Sequence, residues 1–472
     1  MIKIGLLPLY IMLYDEKVPE IRPRLERFYE SAAQKLEECG FEVLRVPFCR
    51  VEPEFKSAVN LFEQHNAQCI VTLHMAYSPS LESSEILAKT KLPIVVLDAT
   101  DTFDFGPLQN PDAISYCHGI HGVMDMCSLL NQNGKKFAIA AGHLDCADCS
   151  EVINRVAGFV RAAVSAGSLN GSRVGCVGGA FKGMGDFAVT VKEMLDRFGI
   201  EPVNASPEIM GKISESITNS EIEAEIETEH NIFNRTGDFS RDIHIQTVRD
   251  CLTVRKWIER EKLSAFSVNF MKIGTETGLL SMPFMEACKA MARGIGYAGE
   301  GDILTASFTG ALLKGFPETS FVEIFCPDWK GNTLFLSHMG EININLTAQK
   351  PEIFEKVFTY GSGDAVNPIS CSGCYKSGQG VFVNIFKGKN GFKLLVSPME
   401  MEAEPANENG NGNNNNFAGT VRGWMRPEKP ITEFLEDLSR AGATHHSIFI
   451  YGASVEQIEF FGELLDLEIV KI

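Results

Sequence analysis

The sequence predicts an α/β chain in three parts: two successive regions built on parallel sheets, then a β-rich C-terminal third. Three observations carry this reading. Strand-length apolar runs alternate with amphipathic helix-length segments from the start, the alternation begins again near residue 170, and after about residue 320 strands and hairpins follow one another closely. A chain of 472 residues also exceeds the size at which a single hydrophobic core keeps growing, so several domains are expected. The boundaries fall at 1–165, 166–318 and 319–472.

Taken in order, "IKIGLLPL" (2–9) is an apolar first strand and "RPRLERFYESAAQKLEEC" (22–39) an amphipathic helix. "FEVLRVPF" (41–48), a second helical stretch, "QCIVTLHM" (68–75) and "LPIVVLDA" (92–99) continue the alternation. Strands that are apolar throughout and separated by helices belong to a parallel sheet covered on both faces. The second cycle opens with "SRVGCVGGAF" (172–181), a buried strand running into a glycine turn, followed by the helical "FAVTVKEMLDRF" (187–198) and the strand "AFSVNF" (265–270). In the last third "NTLFLSHMGEININL" (332–346) and "VFVNIFKGKNGFKLLVSP" (381–398) read as strands, the latter folded at "GKNG". "EPANENGNGNNNNFAG" (404–419) is too polar to bury apolar surface and reads as a mobile surface loop.

Composition excludes several classes of function. The 44% apolar and 22% charged residues are those of an ordinary globular protein, and a net charge of −18 repels phosphate backbones and anionic lipid surfaces. Neither nucleic acid nor membrane is expected as a partner. The start is apolar but lacks a basic segment and a small-residue cleavage site, and thirteen scattered cysteines fit reduced thiols in a cytoplasmic setting.

Four short segments hold polar residues where an apolar or plain one would be cheaper. In "GYAGEGD", Glu300 stands between Gly299 and Gly301, so the chain can turn sharply and leave the carboxylate protruding; a simple surface turn has the same pattern. In "TSFVEIF", alternation faces Glu323 the same way as Phe321 and Phe325, a costly direction for a carboxylate that binds nothing. His338 in "LFLSHMGEI" aligns in the same manner with Leu334 and Leu336, and a satisfied core histidine is the alternative. In "GATHHSIFIYG", His445 and His446 would point to opposite faces of a strand and so have different tasks. Two carboxylates and two imidazoles form an oxygen and nitrogen set suited to Mn²⁺, Fe²⁺, Co²⁺ or Zn²⁺.

Two C-x-x-C pairs, Cys146 with Cys149 and Cys371 with Cys374, stand too far apart in the chain for joint zinc binding without two domains meeting, and free thiols are expected. "VGCVGGAFKGMGDF" departs from the spacing of a dinucleotide-binding turn; its glycines suit close approach to a small polyhydroxy ligand.

The ordered set Glu300, Glu323, His338, His446, in the words "GYAGEGD", "SFVE", "SHMGE" and "THHSIF", resembles the L-arabinose isomerase and L-fucose isomerase superfamily, with the arabinose branch closer in the order of its metal ligands. The likeness is specific in these segments and weaker over residues 1–290, where "CHGIHG" around His118 and "FKGMGDFAVT" around Met184 still look like the family's substrate-site segments. It implies two Rossmann-like domains, a C-terminal barrel-like domain, and a metal-dependent aldose–ketose isomerase working through an enediol. By the resemblance, Glu300, Glu323, His338 and His446 would ligate Mn²⁺, and Glu300 and Glu323 would also act as acid and base. His445, Met184 and His118 would meet the monosaccharide, His118 being lent by a neighbouring subunit of a homotrimer or homohexamer. A sugar-binding paralogue of the same fold without catalysis is the alternative.

Overall fold

Short β-branched and leucine-rich runs, each followed by a helix, build the N-terminal sheet. Its strands β1 (Ile2–Leu9), β2 (Phe41–Arg45), β3 (Cys69–His74), β4 (Ile94–Asp98) and β5 (Phe137–Ala141) are all parallel, in the order β2-β1-β3-β4-β5. The helix Arg22–Glu38 buries Leu25, Phe28, Tyr29, Ala32, Ala33 and Leu36, a stripe at three- and four-residue spacing, and the chain leaves it through Gly40 at φ +90°. The helix Glu52–Gln64 lies so close to β1 that a Cβ on Gly5 would stand 2.4 Å from the Phe62 ring. The computed structural model describes residues 1–144, 150–404 and 417–472, which divide into two compact units, Met1–Gly167 and Ser168–Ile472. Cys146 and Cys149, and nearly all of the asparagine-rich segment, lie outside the described residues.

The second unit begins with a smaller parallel sheet. Strands β6 (Arg173–Val177) and β7 (Glu201–Asn204) are followed by a two-residue strand β8 (Asn234–Arg235) that joins the next sheet, then by β9 (Ala265–Val268) and β10 (Gly296–Gly299). The order is β10-β9-β6-β7, so the strand order reverses at β6, whose carboxyl end is the place where such sheets leave a crevice. The helix of this cycle starts at Val191, later than the apolar pattern alone suggests, because Thr190 and Glu193 form a reciprocal cap.

The rest of the chain forms a mixed sheet that closes on itself. It comprises β11 (Thr319–Asp328), β12 (Thr333–Leu336), β13 (Glu352–Glu355), β14 (Ile369–Cys374), β15 (Gly378–Gly388), β16 (Gly391–Met401), β17 (Val421–Pro427), β18 (His446–Tyr451) and β19 (Glu468–Lys471). The circuit β16-β15-β18-β11-β12-β17 is completed by the pairing of β17 with β16, giving a barrel filled by Val322, Leu334, Phe382, Leu395, Met425 and Phe449. A bulge between Ile324 and Cys326 supplies part of the curvature in β11, and the predicted "GKNG" turn folds β15 onto β16 with Gly388 opposite Gly391. β19 runs beside β16, while β14, β13 and β8 extend the sheet beyond β17. Among the described residues no helix is long and apolar enough to cross a membrane.

One contact sets the position of β10 and of the turn after it. The helix Ile303–Gly315, apolar on nearly every side, packs against the strand so tightly that a Cβ on Gly296 would lie 2.3 Å from the Ala306 carbonyl oxygen and 2.3 Å from the Gly310 nitrogen. Backbone cannot yield as a side-chain tip can. Gly296→Ala should therefore destabilise the chain by about 1–3 kcal/mol, with a fall in melting temperature of at least about 2 °C by circular dichroism. An unchanged melting temperature would show that strand and helix separate without cost.

Candidate active site

β10 delivers the chain into a turn whose geometry is set by glycine. Glu300 adopts φ +65° and Gly301 φ +81°, the left-handed region that a glutamate seldom enters. Hydrogen bonds hold it there: the Glu300 N–H donates to the Val268 carbonyl (3.0 Å), the Phe181 N–H to the Glu300 carbonyl (2.9 Å), and the Gly301 N–H to the Ser267 hydroxyl (2.9 Å). A Cβ on Gly301 would come within 2.3 Å of the Gly179 carbonyl oxygen. The glycines of "CVGGAF" thus let one loop nest on another, a use distinct from the ligand contact expected of them.

The barrel supplies the other groups. Glu323 on β11 stands in register with His446 on β18, and Phe321, two residues earlier, sets its ring edge-on to His338 (5.0 Å) and His446 (5.2 Å). The predicted alternation of Phe321, Glu323 and Phe325 holds, for all three neighbour His338. His338 lies just past β12 with Nε2 3.4 Å from Glu323. Its Nδ1 is 2.5 Å from the buried Glu341, which also accepts from the Tyr297 hydroxyl at 2.7 Å. His446 is fully buried; its Nδ1 meets Asp302 at 2.9 Å, while the other oxygen of Asp302 caps the helix Ile303–Gly315. Phe187 stacks on its ring at 5.0 Å. His445 Nδ1 lies 2.6 Å from Asp186, whose same oxygen also accepts the His445 backbone N–H.

A carboxylate at each Nδ1 assigns an N–H there, so in the neutral ring it is Nε2, facing the centre, that carries the lone pair. The Nε2 atoms of His445 and His446 stand 3.4 and 3.7 Å from one oxygen of Glu300, and Gly299 leaves room for His338 and His446, whose Nε2 atoms would be 3.2 and 3.9 Å from a Cβ there. His446 Nε2 has no hydrogen-bond partner although it is buried. Such an atom costs roughly 1–3 kcal/mol when left unmet, and a cation at that point would meet it. Glu300, His445 and His446 offer ligand atoms within 4.8 Å of one another, compact enough to hold a metal ion.

Burial pushes the pKa of Glu323 up, against the pull of His338 and His446. Burial would lower that of His445, yet hydrogen bonds to Glu300 and Asp186 raise it to about 9. His338 likewise rises in spite of burial, because Glu341 favours its charged form, and Glu341 is held low in return.

Glu300, Glu323, His338, His445 and His446 are therefore brought together. The expectation that His445 and His446 point to opposite faces is wrong: their ring centroids are 4.2 Å apart, because the strand begins only at His446 and alternation does not reach His445. Met184 lies in the loop that carries Asp186. His118 belongs to the N-terminal unit, where its ring nitrogens meet Tyr14 (3.0 Å) and the Ile114 carbonyl (2.5 Å). Cys371 and Cys374 are free, and burial contributes to raising both thiols above their ordinary pKa. Asp186, Asp302 and Glu341 escaped sequence reasoning, although each sits within a few residues of a group that was singled out.

Two family models match the chain, the L-arabinose isomerase central domain over residues 193–314 and the L-arabinose isomerase C-terminal domain over residues 318–468. Relatives include the L-arabinose isomerase of Shouchella clausii, 26% identical over 276 residues (55% of this chain, 52% of that protein), and L-arabinose isomerase 2 of Bacillus licheniformis, 25% identical over 246 residues (50% and 48%). The chain spans about half the length of the relatives it matches. Among solved structures, a periplasmic solute binding protein from Actinobacillus succinogenes with bound D-allose aligns at 12% identity over 67% of this chain and 92% of that one, with a TM-score of 0.18 that decides nothing about fold or ligand.

In the metal-free protein His445 should titrate near pH 9, followed by NMR of its ring protons. Asp186→Asn removes an anionic partner and should move the midpoint toward the ordinary ~6.5. A midpoint that stays in place would release Asp186 from its role as the anchor of that ring.

Proposed function

We propose that this chain, which belongs to the L-arabinose isomerase family, is a divalent-metal-dependent aldose–ketose isomerase acting on a free monosaccharide of the L-arabinose or L-fucose type. The observation that carries the reading is the buried, unpartnered Nε2 of His446, set beside Glu300 and His445 with its other nitrogen fixed by Asp302. Charge supports it as well. Five carboxylates, Asp186, Glu300, Asp302, Glu323 and Glu341, surround three imidazoles, so negative charge is in excess even with every imidazole protonated. A divalent cation is what such a half-buried surplus accommodates.

In this proposal Glu300, Glu323, His338 and His446 hold Mn²⁺, with His445 close enough to meet either ion or sugar. The ion supplies Lewis acidity against the negative charge that develops on the sugar oxygens. The remaining work falls to the side chains. Glu323, whose pKa burial raises, is suited to carry a proton; Glu300, flanked by two imidazoles, is suited to take one from the carbon beside the carbonyl. The proton returned to the adjacent carbon completes the enediol route from aldose to ketose. His445 orients the sugar hydroxyls, Met184 lines the approach, and His118 comes from a neighbouring subunit of a homotrimer or homohexamer. Free thiols throughout the described residues support a cytoplasmic location.

Glu300→Gln should lower turnover by about a hundredfold or more, since an amide is a poor base. Proton NMR on a panel of L-arabinose, L-fucose, D-arabinose and D-galactose reads this directly and names the substrate; a variant with near wild-type rates would remove Glu300 from the mechanism. Mn²⁺ affinity should depend on pH in a definite direction. His445, with a pKa of about 9, carries a positive charge beside the site below that pH, and His338, whose pKa is also raised, has to give up a proton before it can bind the ion. Affinity measured by calorimetry should therefore climb from about pH 6.5 to about pH 9 and level off above. A flat profile across that span would sink the imidazole ligands.

A further inference from the structure

The sequence shows no run of basic residues, yet folding of the second unit assembles a basic cleft from four distant segments. It is a concavity of about 710 Å³, within the ~300–1,000 Å³ usual for small-molecule sites. Four cationic side chains, Arg255, Lys289, Arg293 and Lys350, line it, against one carboxylate, Glu225. None of these residues belongs to the cluster around Glu300.

The cations are held from behind. Lys289 Nζ lies 2.5 Å from Glu225 and 2.6 Å from Glu229; Arg255 grips Glu225 through two nitrogens (2.7 and 2.6 Å) and Glu286 through two more contacts (3.0 and 2.7 Å). Glu229 and Glu286 are fully buried and do not line the cleft. Arg293 gives one nitrogen, Nη2, to Glu286, which leaves the rest of its fork exposed. These three carboxylates balance Arg255, Lys289 and Arg293. Lys350 is the surplus: its Nζ donates to the His230 carbonyl at 3.3 Å and meets no carboxylate among the described residues. On a chain whose net charge is −18, a cavity with an unmatched ammonium and an open guanidinium fork is a local exception.

We propose that this cleft binds a small organic molecule bearing a phosphate group, with Arg293 and Lys350 on the phosphate. A guanidinium fork and an ammonium lining one cleft offer several donors to the oxygens of a phosphate ester, and fixing Arg293 from behind through Glu286 lowers the ordering cost of binding. The volume beyond the rim leaves space for an organic body that inorganic phosphate would not fill.

The test is calorimetric titration of the full chain with a hexose 6-phosphate, inorganic phosphate and the unphosphorylated hexose. The hexose phosphate should bind with a Kd at or below about 1 mM, more tightly than either control. Affinity should fall by about tenfold or more in Lys350→Glu and in Arg293→Glu, and stay unchanged in Glu300→Gln. Lys350 is exposed, so its variant keeps the test decisive even if Arg293→Glu fails to fold. No binding, binding that survives both charge reversals, or inorganic phosphate binding as tightly as the ester would overturn the proposal. Loss of affinity in Glu300→Gln would place the ligand at the Glu300 cluster and overturn it too.

Discussion

The left-handed turn at Glu300 is the constraint on which the site depends. Holding a glutamate at φ +65° costs roughly 1–2 kcal/mol relative to an ordinary conformation, and the neighbouring loops enforce it by hydrogen bonds to residues 181, 267 and 268. The same turn places Asp302 one residue past Gly301, where it serves a helix N-terminus with one oxygen and His446 with the other. A single reversal of the chain therefore ties the small parallel sheet, the helix behind it and the barrel to one geometry. Gly299 and Gly301 are not spacers in this arrangement: the first leaves room for two imidazoles and the second for the backbone of Gly179.

The imidazoles illustrate how burial and charge divide the work. Left alone in an apolar interior, a histidine loses its proton readily, and His74 in the N-terminal unit, with neither ring nitrogen bonded, is lowered to about 3 by burial. His338 and His445 go the other way because carboxylates face them, Glu341 at Nδ1 of His338, and Glu300 at Nε2 together with Asp186 at Nδ1 of His445. The anchors thus do two things at once: they fix the ring orientation, and they make the free nitrogen more basic. Asp302 and Glu341 are themselves out of contact with solvent, so each is stable as an anion only through the ring and the donors it holds.

Much of this was legible in the sequence because it obeys short-range rules. The alternating strand and helix segments, the "GKNG" hairpin, and the placement of Glu323 on the face of Phe321 and Phe325 all follow from period and turn chemistry. What failed depends on where an element starts or on contacts far along the chain. His445 and His446 share a face because β18 begins between them, and a boundary shifted by one residue is beyond what alternation can fix. Asp186 lies 259 positions from His445, and nothing in "GMGDF" announces that partnership. Asp302 and Glu341 carried a signal that could have been read, since each lies two or three residues from a singled-out group inside the same motif. The closure of the barrel through β16 and β17, and the convergence of Arg255, Lys289, Arg293 and Lys350, left no local trace.

The spacing of the cluster has a consequence for folding. Asp186, Glu300, Glu323, His338 and His446 come from a loop, the end of a parallel strand, two barrel strands and the segment just past a third, spread over most of the second unit, so no fragment of it presents the set. Contacts of such long sequence separation form late, after loop-closure entropy has been overcome, and slow the approach to the native state. Any solute that recognises the finished cluster discriminates completely between native and unfolded chains. Its presence shifts that equilibrium by mass action, so the abundance of folded molecules in a cell would track the supply of that solute.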